Sequence, residues 1–199
     1  MNSMRKLITV AAAALAVTAY SATAAQACNY TGGAQVFSPW GDQHSYVLAP
    51  DGGFEAGGQG WLLGRGATTV SGNESFNLNG AGNSLSLSLP AGSTAVSPPI
   101  CMSLDTSILR LVARNTGDPR SGLRVEASYA LLGLVHTKAI STVYAGPEWA
   151  PSQQLSTVLS LSTILGTLIP SSIQVHITPV GSGGNWQVDD LYVDPFARH

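Results

Sequence analysis

The chain has 199 residues, 44% hydrophobic and 10% charged, with a formal net charge of −2. After residue 27 seven basic residues face eleven acids, and Lys138 is the only lysine in that stretch. No basic patch can neutralise phosphates, which excludes nucleic acid and anionic membrane surfaces as partners.

Met1–Lys6 is a short polar start with Arg5 and Lys6, and Leu7–Val17 is an unbroken run of small and aliphatic residues. Ala25-Gln26-Ala27 then supplies an A-x-A cleavage site. This is signal-peptide grammar, and the run is too short to span a bilayer. Residues 1–27 are therefore expected to be a signal peptide, and residues 28–199 one secreted, extracellular domain with no membrane segment. Cys28 and Cys101 are the only cysteines. In an exported chain such an isolated pair forms one disulfide, here across 72 intervening residues. The chain-entropy model puts that closure at roughly 4–5 kcal/mol.

Phe37-Ser-Pro-Trp40-Gly-Asp42-Gln-His44 reads as a loop, and it leaves the Trp40 ring free to meet a ligand. Asp51-Gly-Gly-Phe54-Glu55 opens the first strand motif, with Trp61 soon after, and Ser71-Gly-Asn73-Glu-Ser-Phe76 follows. Strict alternation of apolar and polar residues then predicts half-buried strands with one wet face. It occurs at Leu85–Leu89, Ile108–Arg114, Leu123–Tyr129 and Ile173–Thr178. Gly- and Pro-rich turns separate these runs, as at Gly80–Asn83, Asn115–Pro119 and Gly181–Asn185. Gln154–Ile169 fits a strand followed by a loop about as well as a helix. Its Val and Thr content and the following Pro170 favour the strand. Short strands at regular spacing indicate one all-β domain, a β-sandwich or barrel.

The last run, Gly184-Asn-Trp-Gln-Val-Asp189-Asp190-Leu-Tyr-Val-Asp-Pro195, reads as a strand with two adjacent acids inside it. Neighbouring strand residues point to opposite faces, so one carboxylate is expected to face the core side. Strict alternation puts Asp189 with Leu191 and Val193, and Asp190 with Val188 and Tyr192. A metal ion or a hydrogen-bonded anchor would make a buried carboxylate tolerable.

Three pieces in order carry a resemblance: "GGFE…W" at 52–61, "SGNES" at 71–75 and "VDDL" at 188–191. Together they resemble the jelly-roll carbohydrate-binding modules and their galactose-binding-like relatives, over most of residues 45–195. The chain is also similar to secreted actinobacterial-type β-sandwich proteins. The resemblance implies a jelly-roll sandwich with a structural calcium at one end. That ion would tie Glu55 to Asp189, with Asp190 as the other candidate ligand and backbone carbonyls completing the shell. It also implies a polysaccharide or cell-surface glycan as partner.

Sugar sites use exposed aromatic faces edged by polar groups. Trp61 and Trp186 lie inside strand motifs and are expected in the core. Trp40, Trp149 and Tyr144 are the ligand-binding candidates, with Tyr129, Arg110 and Arg114 as further strand-borne groups. No GxSxG, HExxH or P-loop occurs. Asp42 and His44 are expected in solvent, and His136 and His176 exposed on strands. Asn29 and Asn73 head N-x-S/T sequons, relevant in a glycosylating host. The reading is a secreted, non-catalytic sandwich that binds glycan. The alternative is a structural or adhesive cell-envelope domain without a small ligand.

Overall fold

Alternating segments rich in Val, Leu and Ile pair into two antiparallel sheets that close on one another. The computed structural model describes residues 30, 32–101, 107–131, 134–157 and 172–195. Cys28, the proposed signal peptide and most of 154–169 lie outside these residues. Cys101 lies within them, and no described cysteine is free.

The strands are β1 (Val47–Leu48), β2 (Leu62–Gly64), β3 (Thr68–Ser71), β4 (Leu85–Pro90), β5 (Thr94–Val96), β6 (Ile100–Cys101) and β7 (Ile108–Asn115). They continue as β8 (Gly122–Leu131), β9 (Leu134–Val143), β10 (Ala150–Pro151), β11 (Leu155–Ser156), β12 (Ser172–Val180) and β13 (Asn185–Asp194). Among the described residues the one helical element is the 3-10 turn Ser38–Trp40. The seven-stranded sheet runs β10-β7-β13-β4-β3, with β1 also on β13 and β11 also on β7. The six-stranded sheet runs β2-β5-β12-β8-β9, with β6 also on β12. The start of the ambiguous segment, Leu155–Ser156, is strand, as its composition suggests.

Inward residues of both sheets form one core. Leu109, Leu111, Val188 and Val193 meet Leu123, Val125, Val175 and Ile177, all fully buried. Each such side chain contributes about 1.5–3 kcal/mol. Trp61 and Trp186 join them, as expected. The Trp186 indole N–H finds the Ser121 hydroxyl at 3.0 Å.

A second, smaller core lies on the outer side of the seven-stranded sheet. Phe37 and Tyr46 from the N-terminal segment cover Ile108, Val112 and Tyr192 there. The Phe37 ring meets Tyr46 and Tyr192 edge-on, at 5.1 and 5.7 Å. The expectation of a wet outer face on β7 is thereby corrected: Arg110 is buried. Its guanidinium lies 4.3 Å over the Phe37 ring and pairs with Asp42 at 2.7 Å. Asp42 is likewise buried, not solvated. Burial pushes its pKa up, but hydrogen bonds from Gln154, the His44 N–H, Tyr46 and Arg110 hold it below its usual value.

Candidate functional sites

The two acids of β13 give the clearest departure from the alternation rule. Asp189 pairs with Val112 and Tyr192 with Arg110, so β13 holds one more residue than β7 between these points. This is a β-bulge, and Asp190 takes the left-handed backbone conformation within it, φ 49°. The extra residue resets the phase. Val188 and Leu191 both face the main core, while Asp189 and Tyr192 share the outer side. Asp189 therefore does not share a face with Leu191 and Val193, and both aspartates are fully buried.

Asp189 is anchored by backbone. Its Oδ2 accepts the Glu74 N–H at 3.0 Å and its Oδ1 the Asp190 N–H at 2.9 Å. Glu74, itself buried, accepts the N–H groups of Phe76 and Leu78 and closes the 74–78 turn above the bulge. Neither oxygen of Asp190 meets a donor at hydrogen-bonding geometry; the Asn79 N–H and the Glu74 carboxyl face it from nearby. Burial pushes the Asp189 carboxyl up to about 7, with smaller pushes from the Glu74 and Glu55 charges. Burial and then the Asp189 charge push Asp190 up to about 8.

The opening motif packs against this bulge. Ala49 N–H donates to Leu191 O at 2.9 Å and Leu191 N–H to Gly52 O at 3.0 Å. A Cβ on Gly52 would lie 2.5 Å from Leu191 O, and one on Gly53 would lie 3.1 Å from Asp190 Oδ1. The two glycines are what allow this contact. Glu55 itself is exposed, and its Oε1 accepts the N–H groups of Ser84 and Leu85 at 2.8 Å each. Glu74, rather than Glu55, is the acid packed directly onto the aspartate pair. Its cue in the sequence is its place in "SGNES", between β3 and β4, far along the chain from "VDDL" in β13. Among the described residues no three His, Cys, Asp or Glu side chains form a ligand set on their own.

The outer side of the six-stranded sheet is different: it is lined by polar and charged groups, several of them exposed or half-buried. Leu62, Val96, His176 and Glu126 form one cross-strand row, and Arg124 and Thr178 lie opposite each other beside it. Ser128 hydroxyl and His176 Nε2 are 2.7 Å apart, and Arg124 Nε lies 3.4 Å from Glu126. Tyr144, 68% exposed, stands at the end of this face. Its ring rests over Gly122, where a Cβ would lie 3.2 Å from Cε1. Tyr129 by contrast is buried and stacks on His136 at 5.5 Å.

Of the other predicted aromatics, Trp40 is 38% exposed and meets Phe76 edge-on at 4.8 Å. Trp149 is half-buried under the Arg114 guanidinium, 4.8 Å above its ring. The structure thus spreads Trp40, Trp149 and Tyr144 over three places and does not bring them together. His44 is held by Asp194, 3.1 Å from Nδ1.

The antiparallel two-sheet topology is now comparable with known structures. The xylan-binding domain CBM22-1 from Paenibacillus barcinonensis superposes with a TM-score of 0.50 and 12% identity, over 76% of this chain and 99% of that one. The chain has the jelly-roll fold of the carbohydrate-binding modules. A family 16 carbohydrate-binding module gives 0.50 at 15% identity, over 74% of this chain and 99% of that one. The enzymatically active domain of bacteriophage CBA120 tailspike protein 4 gives 0.52 at 14% identity, covering 75% of this chain and 21% of its own. No family model and no curated protein matches the sequence.

Proposed function

We propose that this chain is an exported, non-catalytic glycan-binding domain that holds polysaccharide on the open side of its six-stranded sheet. The observation that carries the reading is the exposed Tyr144 ring seated on Gly122 at the edge of a polar sheet face. An aromatic ring beside hydroxyl, amide and guanidinium groups matches the alternating apolar and hydroxylated surfaces of a sugar chain. Thr94, Thr142, Thr178, Gln174, His176 and Arg124 supply those groups. Adjacent strands lie about 4.8 Å apart, so five strands offer a track of about 20 Å across the sheet. The fold is shared with modules described as carbohydrate-binding, which fits this use of the face.

A structural calcium is the second part of the reading. The donor set suits it: Asp190 has two buried carboxylate oxygens that no donor meets at full hydrogen-bonding geometry, beside Asp189 and Glu74. Ca²⁺ takes 6–8 oxygens, so backbone carbonyls would complete its shell. Asp190 would be the principal ligand, with Asp189 beside it and Glu55 at the rim. The ion would neutralise adjacent buried acids and tie the opening loop to β13.

Pulldown on insoluble polysaccharides, with Tyr144→Ala as control, tests the glycan reading. Binding that falls in the variant while its melting temperature holds supports it. No binding across a broad glycan array would leave the structural or adhesive alternative in its place. The Cys28–Cys101 bridge belongs to the same proposal and is checked by mass spectrometry of the non-reduced protein.

A further inference from the structure

The described arginines differ in what they face. Arg110 pairs with Asp42, Arg120 with Asp118, and Arg124 sits beside Glu126. Arg114 has no carboxylate within 4 Å among the described residues. Yet it is held more firmly than a free surface arginine. Its guanidinium lies 4.8 Å above the Trp149 ring, and its Nε donates to Gln187 Oε1 at 2.6 Å. Both contacts leave the two terminal nitrogens without a protein partner among the described residues, and neither is a buried orphan. The group is half-buried on the outer side of the seven-stranded sheet, beyond the Phe37–Tyr46 cluster that packs on Ile108, Val112 and Tyr192. The register continues from Arg114 through Gln187 and Ser88 to Thr68, a cross-strand row ending in two hydroxyls.

We propose that this row is a second carbohydrate site, in which Arg114 reads the carboxylate of an acidic sugar of the uronic acid class. A planar guanidinium fixed through its face and its Nε presents the remaining N–H fork to a carboxylate in bidentate geometry. Holding the fork in place beforehand lowers the ordering cost of binding. Among the described residues no acid pairs with it, in a chain where acids outnumber bases, which leaves the complementary charge to the ligand. The site is separate from the Tyr144 face. The choice of a sugar over an acidic peptide rests on the glycan-binding reading above.

The test uses the full chain with a galacturonic acid hexamer, a neutral xylose hexamer and an acidic peptide. The Trp149 indole signal in heteronuclear NMR serves as local probe. The uronate hexamer is expected to shift that signal. Arg114→Gln should weaken uronate binding roughly 10- to 100-fold. Arg114→Lys, which keeps the charge and loses the fork, should fall between. Tyr144→Ala should leave uronate binding unchanged. Circular dichroism melting of each variant controls for folding. Uronate affinity equal in the wild type and Arg114→Gln, or lost in Tyr144→Ala, overturns the proposal. Neutral hexamer bound at the Tyr144 face without any uronate response overturns it while leaving the first reading intact. If neither hexamer binds, this proposal falls, and the Tyr144 reading falls only if the broad glycan array is also blank. An Arg114-dependent response to the peptide alone overturns the sugar class in favour of a protein partner.

Discussion

The outer sides of the two sheets carry similar sequence and meet different fates. Strand β7 reads Ile-Leu-Arg110-Leu-Val-Ala-Arg114 and β8 reads Gly-Leu-Arg124-Val-Glu126-Ala-Ser128, each with an outward arginine between inward aliphatics. Arg110 ends buried under Phe37 and bonded to Asp42, while Arg124 is exposed beside Glu126. Alternation thus sets which way a side chain points. Whether that side is wet depends on what another stretch of chain does, here residues 34–48 folding over one sheet only. The difference also separates support from exposure: the covered side adds a second small core, and the side of Arg124 keeps its guanidinium in water.

The contrast is sharpest energetically at the two arginines and at the bulge. Arg110→Ala leaves Asp42 as an uncompensated buried charge and should cost about 3–5 kcal/mol in urea unfolding. A loss under about 1 kcal/mol would mean the N-terminal segment does not seal that face.

The next largest effect is expected at Asp189 and Asp190. Their folded pKa values are raised, so between about pH 4 and pH 7–8 the folded chain binds more protons than the unfolded one. Their contribution is fully present below the unfolded pKa and is lost as pH rises through the folded values. In chelator, the melting temperature should therefore fall between pH 5 and 9, and Asp190→Asn should flatten that fall. With calcium the trend should reverse, because the metal needs the ionised carboxylates and stabilises by mass action. A midpoint insensitive to calcium at pH 8 would remove the ion from the picture.

Gly122→Ala places a methyl group against Thr142 and Tyr144, 2.4 Å from Thr142 Cγ2. It should destabilise by about 1–3 kcal/mol and weaken glycan binding by moving the ring. Unchanged binding in a folded Gly122→Ala protein would detach Tyr144 from the ligand. Arg124→Ala, on the wet face, should change stability by less than about 0.5 kcal/mol, read in the same urea titrations.

Much of this architecture was legible in the residues. Alternation at 85–89, 108–114, 123–129 and 173–178 predicted strands β4, β7, β8 and β12, because a two-residue period is imposed by the pleat itself. The motif order predicted the jelly roll and brought the "GGFE" and "VDDL" segments together. Asp190 illustrates the limit. Its burial arises from one inserted residue, and nothing in Val-Asp-Asp-Leu marks where the register slips. Glu74 was hidden for a related reason: its partners stand 115 residues away, at Asp189, and in its own turn.

By itself, the sequence determined the alternating strands, their turns and the identity of the inward aliphatics. These follow from local sterics and from the free energy of removing apolar surface from water, which act on any chain with this pattern. Tertiary structure alone decided which polar faces stayed wet, which arginine lost its water and which kept it, and that two neighbouring carboxylates share one buried site. Those outcomes depend on contacts between segments far apart in the chain, where a single bulge or a covering loop changes the surroundings of a charge without changing a residue.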